Sequence, residues 1–210
     1  MSVRKYSDAN DVIRVSFDGS RCAHAGYCFR ELREVFDSDR DPPINLAGAA
    51  TEAVIRTVER CPSGALVYER LDGGVDEVPN AHATVTLIPN GPLAVRGELE
   101  LDSATCTRLT LCRCGQSARK PFCDGSHKTH PFDDHNTMAP EAVSDDPPAG
   151  SVKFSPATNG PLLFNGPLTV RLHNGDTLCV REKGGFCRCG ASKNKPFCDG
   201  THRSINFSAP

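Results

Sequence analysis

The stretch CRCGQSARKPFCDGSH, at residues 112–127, occurs again as CRCGASKNKPFCDGTH at residues 187–202. Each copy has the order Cys-x-Cys-x8-Cys-x3-His, although many of the surrounding residues differ. Three thiols and one imidazole form a ligand set that selects zinc, copper(I) or an iron-sulfur cluster. Repetition of the whole set predicts two metal sites rather than buried structural thiols with a surface histidine. The predicted ligands are Cys112, Cys114, Cys123 and His127 in the first copy, and Cys187, Cys189, Cys198 and His202 in the second.

The spacing of the first two cysteines bears on the kind of metal. Structural zinc sites mostly use pairs spaced Cys-x2–4-Cys, whereas each copy here begins with Cys-x-Cys. Residues two apart on an extended segment point to the same side. Cys112 and Cys114 could therefore reach one iron while Cys123 and His127 reach another. This division favours a two-iron cluster over zinc, and zinc stays open on spacing alone.

The composition of the 210 residues argues against several function classes. The formal net charge is −2 and no long basic run occurs, so neither a nucleic-acid surface nor a polybasic membrane surface is indicated. The first residues lack an apolar core of signal-peptide length, and no apolar run approaches the length of a membrane span. We therefore expect a cytoplasmic protein without nucleic-acid or membrane partners. In a reducing compartment, the 11 Cys favour metal ligation over disulfides.

The chain divides by pattern into a front domain and a duplicated back half. With the two copies aligned on their cysteines, NGPLAVR at residues 90–96 pairs with NGPLTVR at residues 165–171 without a gap. Short strands and Gly-Pro turns predict a β-rich fold for both repeats. The segment between them has five acidic residues, three Pro and no Lys or Arg, which predicts a linker extended over the surface. The predicted boundaries are 1–78 for the front domain, 79–132 for the first repeat, 133–150 for the linker and 151–210 for the second repeat.

The front domain is predicted as a small α+β unit of β-α-α-β order. Its strands are expected at VIRVSF (residues 12–17) and ALVY (residues 65–68). One short helix is expected near FRELREVF (residues 29–36), and a second through TEAVIRTVER (residues 51–60), which Pro62 ends.

Both copies also fit the pattern C-x-C-x2-(S/T)-x3-P-x-C-D-G-(S/A/T)-H, so the chain resembles the CDGSH iron-sulfur (mitoNEET-like) family. The resemblance covers about residues 82–207. It implies that each copy holds one 2Fe-2S cluster through its three Cys and one His on a β-rich fold. Family members with one motif form homodimers that bear two clusters. Two motifs in one chain therefore predict the tandem soluble class, in which an internal pseudo-twofold replaces the dimer and the protein is a monomer.

Other motif residues have predicted roles around the cluster. Pro121 is expected to start a helical turn whose free amides face the cluster, and Asp124 to cap that turn. Gly125 is expected to allow close backbone approach, and Phe122 to fill a small core. The same roles are predicted in the second copy for Pro196, Asp199, Gly200 and Phe197.

The remaining cysteines fall into two groups. The stretch CAHAGYC (residues 22–28), followed by Cys61 in CPSG, resembles a divergent single-cluster ferredoxin domain in which Ala25 stands where a further Cys often falls. Three thiols suit a 3Fe-4S cluster, or a 4Fe-4S cluster completed by His24 or an outside ligand. A docking domain that has lost its cluster is the alternative. Cys106 and Cys179 are expected to be small hydrophobic residues near strands.

The leading functional hypothesis is an iron-sulfur protein for one-electron transfer, for storage and transfer of 2Fe-2S clusters, or for both. Its partner would be a redox protein or an apo iron-sulfur protein, and we expect no enzymatic activity of its own. The alternatives are a zinc-stabilised interaction module and an electron-delivering subunit of a redox enzyme. One imidazole in place of a thiolate predicts a reduction potential above that of an all-cysteine site, and a bond to iron that acid weakens.

Overall fold

The computed structural model describes residues 4–134, 138–143 and 147–210. The chain forms two compact units, which meet at Val78 and Pro79 along the sequence. Strands dominate and helices are few, so the fold is at most that of a small α+β protein. Within the described residues, no helix has the length and the apolar character that crossing a bilayer requires.

In its described residues, the first unit is an antiparallel three-stranded sheet with two α-helices and a short 3-10 turn at Leu46–Gly48. Its elements are β1 (Lys5–Ala9), β2 (Ile13–Asp18), α1 (Tyr27–Glu31), α2 (Thr51–Glu59) and β3 (Leu66–Arg70). The central strand is β2, which pairs with both β1 and β3. Helix α2 buries Val54 and Val58, one turn apart, in a core with Ile13 and Val15 of β2.

Two features of this unit differ from the sequence prediction. Strand β1 was missed, because its exposed polar residues at the sheet edge lack an apolar pattern. The predicted helix over residues 29–36 is wrong in its extent, because α1 ends at Glu31. Leu32 leaves helical geometry with φ −148°, and the chain then turns Val35 and Phe36 into the core.

The second unit is built on a six-stranded sheet. Its strands are β4 (Ala83–Leu87), β5 (Leu93–Leu101), β6 (Ala104–Leu111), β7 (Val152–Pro156), β8 (Leu162–Leu172) and β9 (Thr177–Phe186). Strands β4, β5 and β6 form one antiparallel meander, and β7, β8 and β9 form another. Parallel pairings of β4 with β8 and of β5 with β7 join the two meanders. Both repeats therefore contribute to one sheet.

One core fills this unit, because the buried faces of both meanders meet. Strand β5 buries every second residue along most of its length, including Leu93, Val95 and Leu99. In the second meander, the rings of Phe164 and Phe186 stack with centroids 4.9 Å apart. The sheet thus positions the two motif segments, which directly follow β6 and β9.

The structure corrects the alignment of the two repeats outside the motif. The structural counterpart of Asn90 is Asn159 rather than Asn165, because both lie in the turn before the second strand and both have positive φ, at 48° and 53°. Asn165 lies inside β8, and the hairpin of β8 and β9 is longer than that of β5 and β6. The similar segments NGPLAVR and NGPLTVR therefore occupy different positions in the fold.

The predicted linker makes specific contacts with the second unit where it is described. Residues 135–137 and 144–146 of this linker lie outside the described residues. Met138 packs against the core, and the backbone N–H of Glu141 donates to Leu178 O at 2.8 Å. The Glu141 carboxylate also pairs with Arg181, at 2.5 and 2.7 Å. The described part has no helix or strand.

Candidate metal centres

In each motif, the chain folds back beside the strand that precedes it. Cys112 N–H donates to Pro121 O at 2.8 Å, and Cys123 N–H donates to Thr110 O at 2.9 Å. These two hydrogen bonds form a short antiparallel ladder that brings the third cysteine of the motif beside the first. The second copy repeats the ladder, with 2.9 Å between Cys187 N and Pro196 O and 2.8 Å between Cys198 N and Gly185 O.

The four predicted ligands of each copy lie together as two pairs. In the first copy, the sulfurs of Cys112 and Cys114 are 3.6 Å apart, and Cys123 Sγ is 3.4 Å from His127 Nδ1. The corresponding distances in the second copy are 3.7 Å between the two sulfurs and 3.2 Å between sulfur and nitrogen. Within the described part of the chain, no three His, Cys, Asp or Glu side chains are grouped to hold a single metal ion.

Backbone amides face the sulfurs and favour their negative charge. The pKa of Cys112 is lowered, first by its hydrogen bond with Cys114 and then by the amides of Ser117 and Gly115, against the opposing effect of burial. The pKa of Cys114 is raised, first through the same hydrogen bond and then by burial. Cys187 and Cys189 show the same opposite directions. In each Cys-x-Cys pair, the fold therefore favours the thiolate form of the first cysteine.

The third cysteine of each motif receives one amide from the residue two positions later. Gly125 N–H donates to Cys123 Sγ at 3.4 Å, and Gly200 N–H donates to Cys198 Sγ at 3.4 Å. Both glycines have left-handed φ values, 88° and 90°, which other residues adopt at a cost. A Cβ at Gly200 would meet no other residue within 4 Å, so the positive φ is what favours glycine there, and close approach of this backbone to a cluster stays a prediction.

The aspartate of the motif ties the two ends of the loop together. Asp124 accepts hydrogen bonds from Ala118 N at 2.8 Å and from Ser126 N at 3.0 Å. Burial raises the pKa of Asp124, but these amides and the Ser126 hydroxyl outweigh it and lower the pKa to about 2. Asp199 makes the equivalent bonds to Lys193 N and Thr201 N, and its pKa is also lowered.

The predicted helical turn starts later than expected. Pro121 and Pro196 follow cis peptide bonds and lie in the ladder rather than at the start of a helix. The short 3-10 turns span Ser126–Lys128 and Thr201–Arg203, so they carry the two histidines. The prediction for the prolines was therefore wrong. Phe122 and Phe197 do pack against the core, as expected.

The two motif loops touch each other through their backbones. Cys114 and Cys189 form an isolated antiparallel bridge. The glycine after each of them has φ 82°, and a Cβ on Gly115 would lie 2.6 Å from Cys189 O, while one on Gly190 would lie 2.6 Å from Cys114 O. Only glycine fits at such an approach. This junction was missed from the sequence, although a Gly follows Cys-x-Cys in both copies.

A buried arginine stands between the first two cysteines of each motif and was also missed. Arg113 is 2% exposed, and it donates to Gly91 O at 2.7 Å and to Ile88 O at 2.5 Å. Asp134 pairs with the same guanidinium. Burial lowers the pKa of Arg113, against opposing effects of Asp134 and then of the Cys187 thiolate of the other copy. Arg113 thus lies within the electrostatic reach of both candidate sites.

The arginine of the second copy has related contacts with different partners. Arg188 is 1% exposed and donates to Gly160 O at 2.9 Å and to Pro210 O at 2.8 Å. Its pKa is lowered by burial, against the opposing effect of Cys112 in the first copy. Each arginine also lies beside an aromatic ring, with Arg113 5.5 Å from the centroid of Phe132 and Arg188 5.8 Å from that of Phe207.

The pKa of the imidazole in the first site is lowered. Burial lowers the pKa of His127, helped by the charges of Lys128 and Arg113 and opposed by Asp124. The side-chain ammonium of Lys120 donates to Ser117 O at 2.6 Å, and that of Lys195 donates to Ser192 O at 2.8 Å. These two lysines therefore brace their loops.

The first unit brings its three predicted thiols close together. Burial raises the pKa of Cys28 to about 11, and the negative charges of Cys61 and then Cys22 add to this rise. All three are half-buried. Arg30 donates to the carbonyl of Ala25 at 2.9 Å, at the position where a further cysteine often occurs in ferredoxin loops. Outside these groups, Cys179 is buried in the core and Cys106 packs against it, as expected.

Comparison with known proteins agrees with these two kinds of site. Residues 90–128 and 159–203 match the family described as iron-binding zinc finger, CDGSH type, and residues 8–71 match the divergent 4Fe-4S mono-cluster family. The CDGSH iron-sulfur domain-containing protein 2 homologs of Drosophila sechellia and Drosophila simulans are each 39% identical over 56 residues, which is 27% of this chain and 41% of theirs. The protein YjdI of Escherichia coli (strain K12) is 36% identical over 56 residues, covering 27% of this chain and 74% of YjdI.

The chain belongs to the CDGSH iron-sulfur family. It is therefore an iron-sulfur protein, with a divergent 4Fe-4S mono-cluster domain before its two CDGSH motifs. It spans 41% of the length of the two Drosophila relatives. The second match begins at residue 159, in agreement with the structural pairing of Asn90 with Asn159.

Proposed function

We propose that each CDGSH loop holds one 2Fe-2S cluster through three Cys and one His, and that the chain carries single electrons, stores and passes on clusters, or does both. The first cluster would be held by Cys112, Cys114, Cys123 and His127, and the second by Cys187, Cys189, Cys198 and His202. The observation that carries the proposal is the division of each ligand set into a thiol pair and a Cys-His pair.

The distances within the pairs fit this use. Two thiolates on one tetrahedral metal ion, with bonds of about 2.3 Å, lie about 3.7 Å apart. The sulfur-sulfur distances of 3.6 and 3.7 Å match this value. A two-iron cluster needs one such pair of protein ligands on each iron, whereas a lone zinc ion needs all four on one point. The pairing therefore supports the cluster over the zinc-stabilised module.

The residues around the ligands suit a negatively charged group. Amides from the loop face the sulfurs, and two buried guanidinium groups lie near the thiols of both copies. When bound, a 2Fe-2S cluster accepts and releases one electron at a time. The single neutral imidazole leaves one negative charge fewer than four thiolates would. This supports a potential above that of an all-cysteine site.

For the first unit, we propose a further cluster held by Cys22, Cys28 and Cys61. Their closeness and half-burial support the proposal. Three thiols suit a 3Fe-4S cluster, or a 4Fe-4S cluster with His24 or an outside ligand completing the set. His24 is exposed and has positive φ, at 52°.

In this proposal, the protein is a monomer and catalyses no reaction of its own. The parallel pairings of β4 with β8 and of β5 with β7 join the two copies inside one chain, which supports an internal pseudo-twofold in place of a dimer. Its partner would be a redox protein or an apo iron-sulfur protein, including a redox enzyme to which it delivers electrons. A cytoplasmic location and the absence of nucleic-acid and membrane partners stay predictions from the sequence.

The test is a visible spectrum of freshly purified protein together with iron, zinc and sulfide analysis. The expected result is a red-brown protein with iron and sulfide, both retained by a variant in which Cys22, Cys28 and Cys61 are all replaced by Ser. A colourless variant that contains zinc in place of iron would contradict the proposal. Mixing the holo variant with an apo-ferredoxin then separates the two roles, because cluster transfer moves iron to the ferredoxin whereas electron transfer leaves the iron in place.

A further inference from the structure

The residue opposite the third ligand cysteine differs between the two CDGSH loops. In the first loop, the ladder around the bridge of Leu111 and Phe122 places Thr110 directly opposite Cys123. Residues directly opposite each other in an antiparallel pair have their side chains on the same face, with Cβ atoms about 5 Å apart. The Thr110 side chain is therefore a neighbour of Cys123.

The same side chain also lies on the side of the first ligand cysteine. Thr110 precedes Cys112 by two residues on an extended segment, and the hydrogen bond from Cys112 N–H to Pro121 O continues the ladder past the end of β6. Side chains two apart on such a segment point to the same face. Thr110 therefore flanks both Cys112 and Cys123 from within the proposed site.

The hydroxyl of Thr110 is buried and has no hydrogen-bond partner among the described residues. Thr110 is 2% exposed, and its Oγ1 has no exposed surface for water to reach and no donor or acceptor in range in the described part of the chain. Buried hydroxyl groups are nearly always paired, since leaving one unpaired is costly. A hydroxyl has a proton to donate, and thiolate or sulfide sulfur accepts it.

The second loop has no equivalent group. Its ladder places Gly185 opposite Cys198. A Cβ on Gly185 would lie 3.2 Å from the Cβ of Pro161 and 3.4 Å from the Cδ2 of Leu163, so this position is already closely packed. The two loops thus have the same ligands but differ by one hydroxyl.

We propose that Thr110 Oγ1–H donates a hydrogen bond to a sulfur of the first CDGSH site and so raises the reduction potential of that cluster, while the second site has no such donor. The inference rests on the function proposed above. Hydrogen bonds to cluster sulfurs stabilise the reduced, more negative state, and they are one of the factors that set the potential. Thr110 is a positioning and tuning residue, not a metal ligand.

The test replaces Thr110 by Val, which keeps the shape and the strand preference of the side chain but removes the hydroxyl. Two midpoint potentials are measured by redox titration of the full-length chain, followed by electron paramagnetic resonance. We expect Thr110→Val to shift one CDGSH potential to a lower value and to leave the other unchanged. Thr110→Ser, which restores a hydroxyl, should bring the shifted value back towards that of the wild type.

Two single-site backgrounds assign the shift to a cluster. In a Cys198→Ser background, which would retain only the first CDGSH cluster, Thr110→Val should still lower the potential. In a Cys123→Ser background, which would retain only the second, it should have no effect. If the Thr110→Val variant does not fold in these backgrounds, Thr110→Ala removes the same hydroxyl without adding bulk.

The outcomes distinguish this inference from the proposed function. Wild-type protein without a cluster in the first loop would refute the proposed function itself. A cluster whose potential is the same with Thr, Val and Ser at this position would overturn only the inference about the hydroxyl. An equal shift of both clusters would also overturn it, because the change would then not act through a local hydrogen bond.

Discussion

The two CDGSH loops hold their candidate ligands in the same way, but their surroundings differ. Both have the same ladder, the same two ligand pairs and the same aspartate bracing the loop. Around them, Cys123 is buried while Cys198 is half-buried. Arg113 pairs with the carboxylate of Asp134, whereas the backbone carbonyl groups of Gly160 and Pro210 accept from Arg188.

This difference separates what builds the ligand arrangement from what adjusts its properties. The motif fixes the ligands through short-range hydrogen bonds that both copies share. The surroundings come from parts of the chain outside the motif, such as the end of β6 and the segment around Asp134. Two clusters with identical ligands can therefore have different potentials and different resistance to acid.

The largest expected effect is the loss of one cluster at a time. Cys123→Ser should remove the first CDGSH cluster and keep the second, and Cys198→Ser should do the reverse, because each thiolate serves one ligand set. Iron, sulfide and visible absorbance per chain measure the loss. Cys106→Ser, outside both loops, is the matched control and should retain all three signals. Loss of both clusters from either single variant would contradict two independent sites.

The next effect tests the different partners of the two buried arginines. Asp134→Ala should lower the free energy of unfolding by about 3 kcal/mol, because it leaves the buried guanidinium of Arg113 without its opposite charge. Denaturant unfolding measures it. The exposed residue Asp11 is the control, and its replacement by Ala should change the free energy of unfolding by less than about 0.5 kcal/mol. Equal effects of the two variants would mean that the carbonyl groups suffice for Arg113.

A smaller effect tests the backbone junction that the two loops share. Gly115→Ala and Gly190→Ala should each lower the free energy of unfolding by about 2 kcal/mol more than Gly175→Ala does. All three positions have positive φ, but only at the junction does the added Cβ also collide with a carbonyl oxygen. Gly175 is the control, with φ 96° and nothing within 4 Å of a Cβ. The measurement is again denaturant unfolding. If all three variants lost the same free energy of unfolding, the two loops would not be in tight contact at the junction.

The smallest expected effect concerns acid. Protons compete with iron for the imidazole, so loss of visible absorbance should be about tenfold faster at pH 6 than at pH 8. Because burial lowers the pKa of His127, a smaller fraction of its ring is protonated at a given pH than of an exposed imidazole, so the first site should lose its cluster more slowly in acid than it would with an exposed histidine. His127→Cys should keep its cluster, reduce this acid dependence and lower the potential. Equal decay at the two pH values would contradict the competition.

The sequence predicted which ligands of each motif lie side by side, because that part of the arrangement is local. Cys112 lies beside Cys114 and Cys187 beside Cys189, with sulfurs 3.6 and 3.7 Å apart, and the binding of a cluster by all four ligands of a loop stays a prediction. The contribution of Gly115 and Gly190 was not predicted, because their constraint comes from the other copy. The buried arginines were missed for the same reason, since nothing next to Arg113 in the sequence indicates that Gly91 and Ile88 will accept its hydrogen bonds.

The fold was predicted in outline and missed in specific places. Short strands and Gly-Pro turns predicted a β-rich second unit, but they did not indicate strand β7 or the parallel pairing of β4 and β5 with strands of the other repeat. The edge strand β1 has no such alternation. Local sequence similarity wrongly paired Asn165 with Asn90. The second hairpin is longer, so the turn that corresponds to Asn90 lies earlier in the chain, at Asn159.

The parallel pairings between the meanders also set an order of events during synthesis. Strands β4 and β5 obtain their remaining edge partners only from β8 and β7, which are translated after the whole first motif. A nascent chain that has just exposed its first set of thiols therefore has an incomplete sheet beneath them. Cluster insertion at the first motif is then expected only after β7 and β8 have left the ribosome.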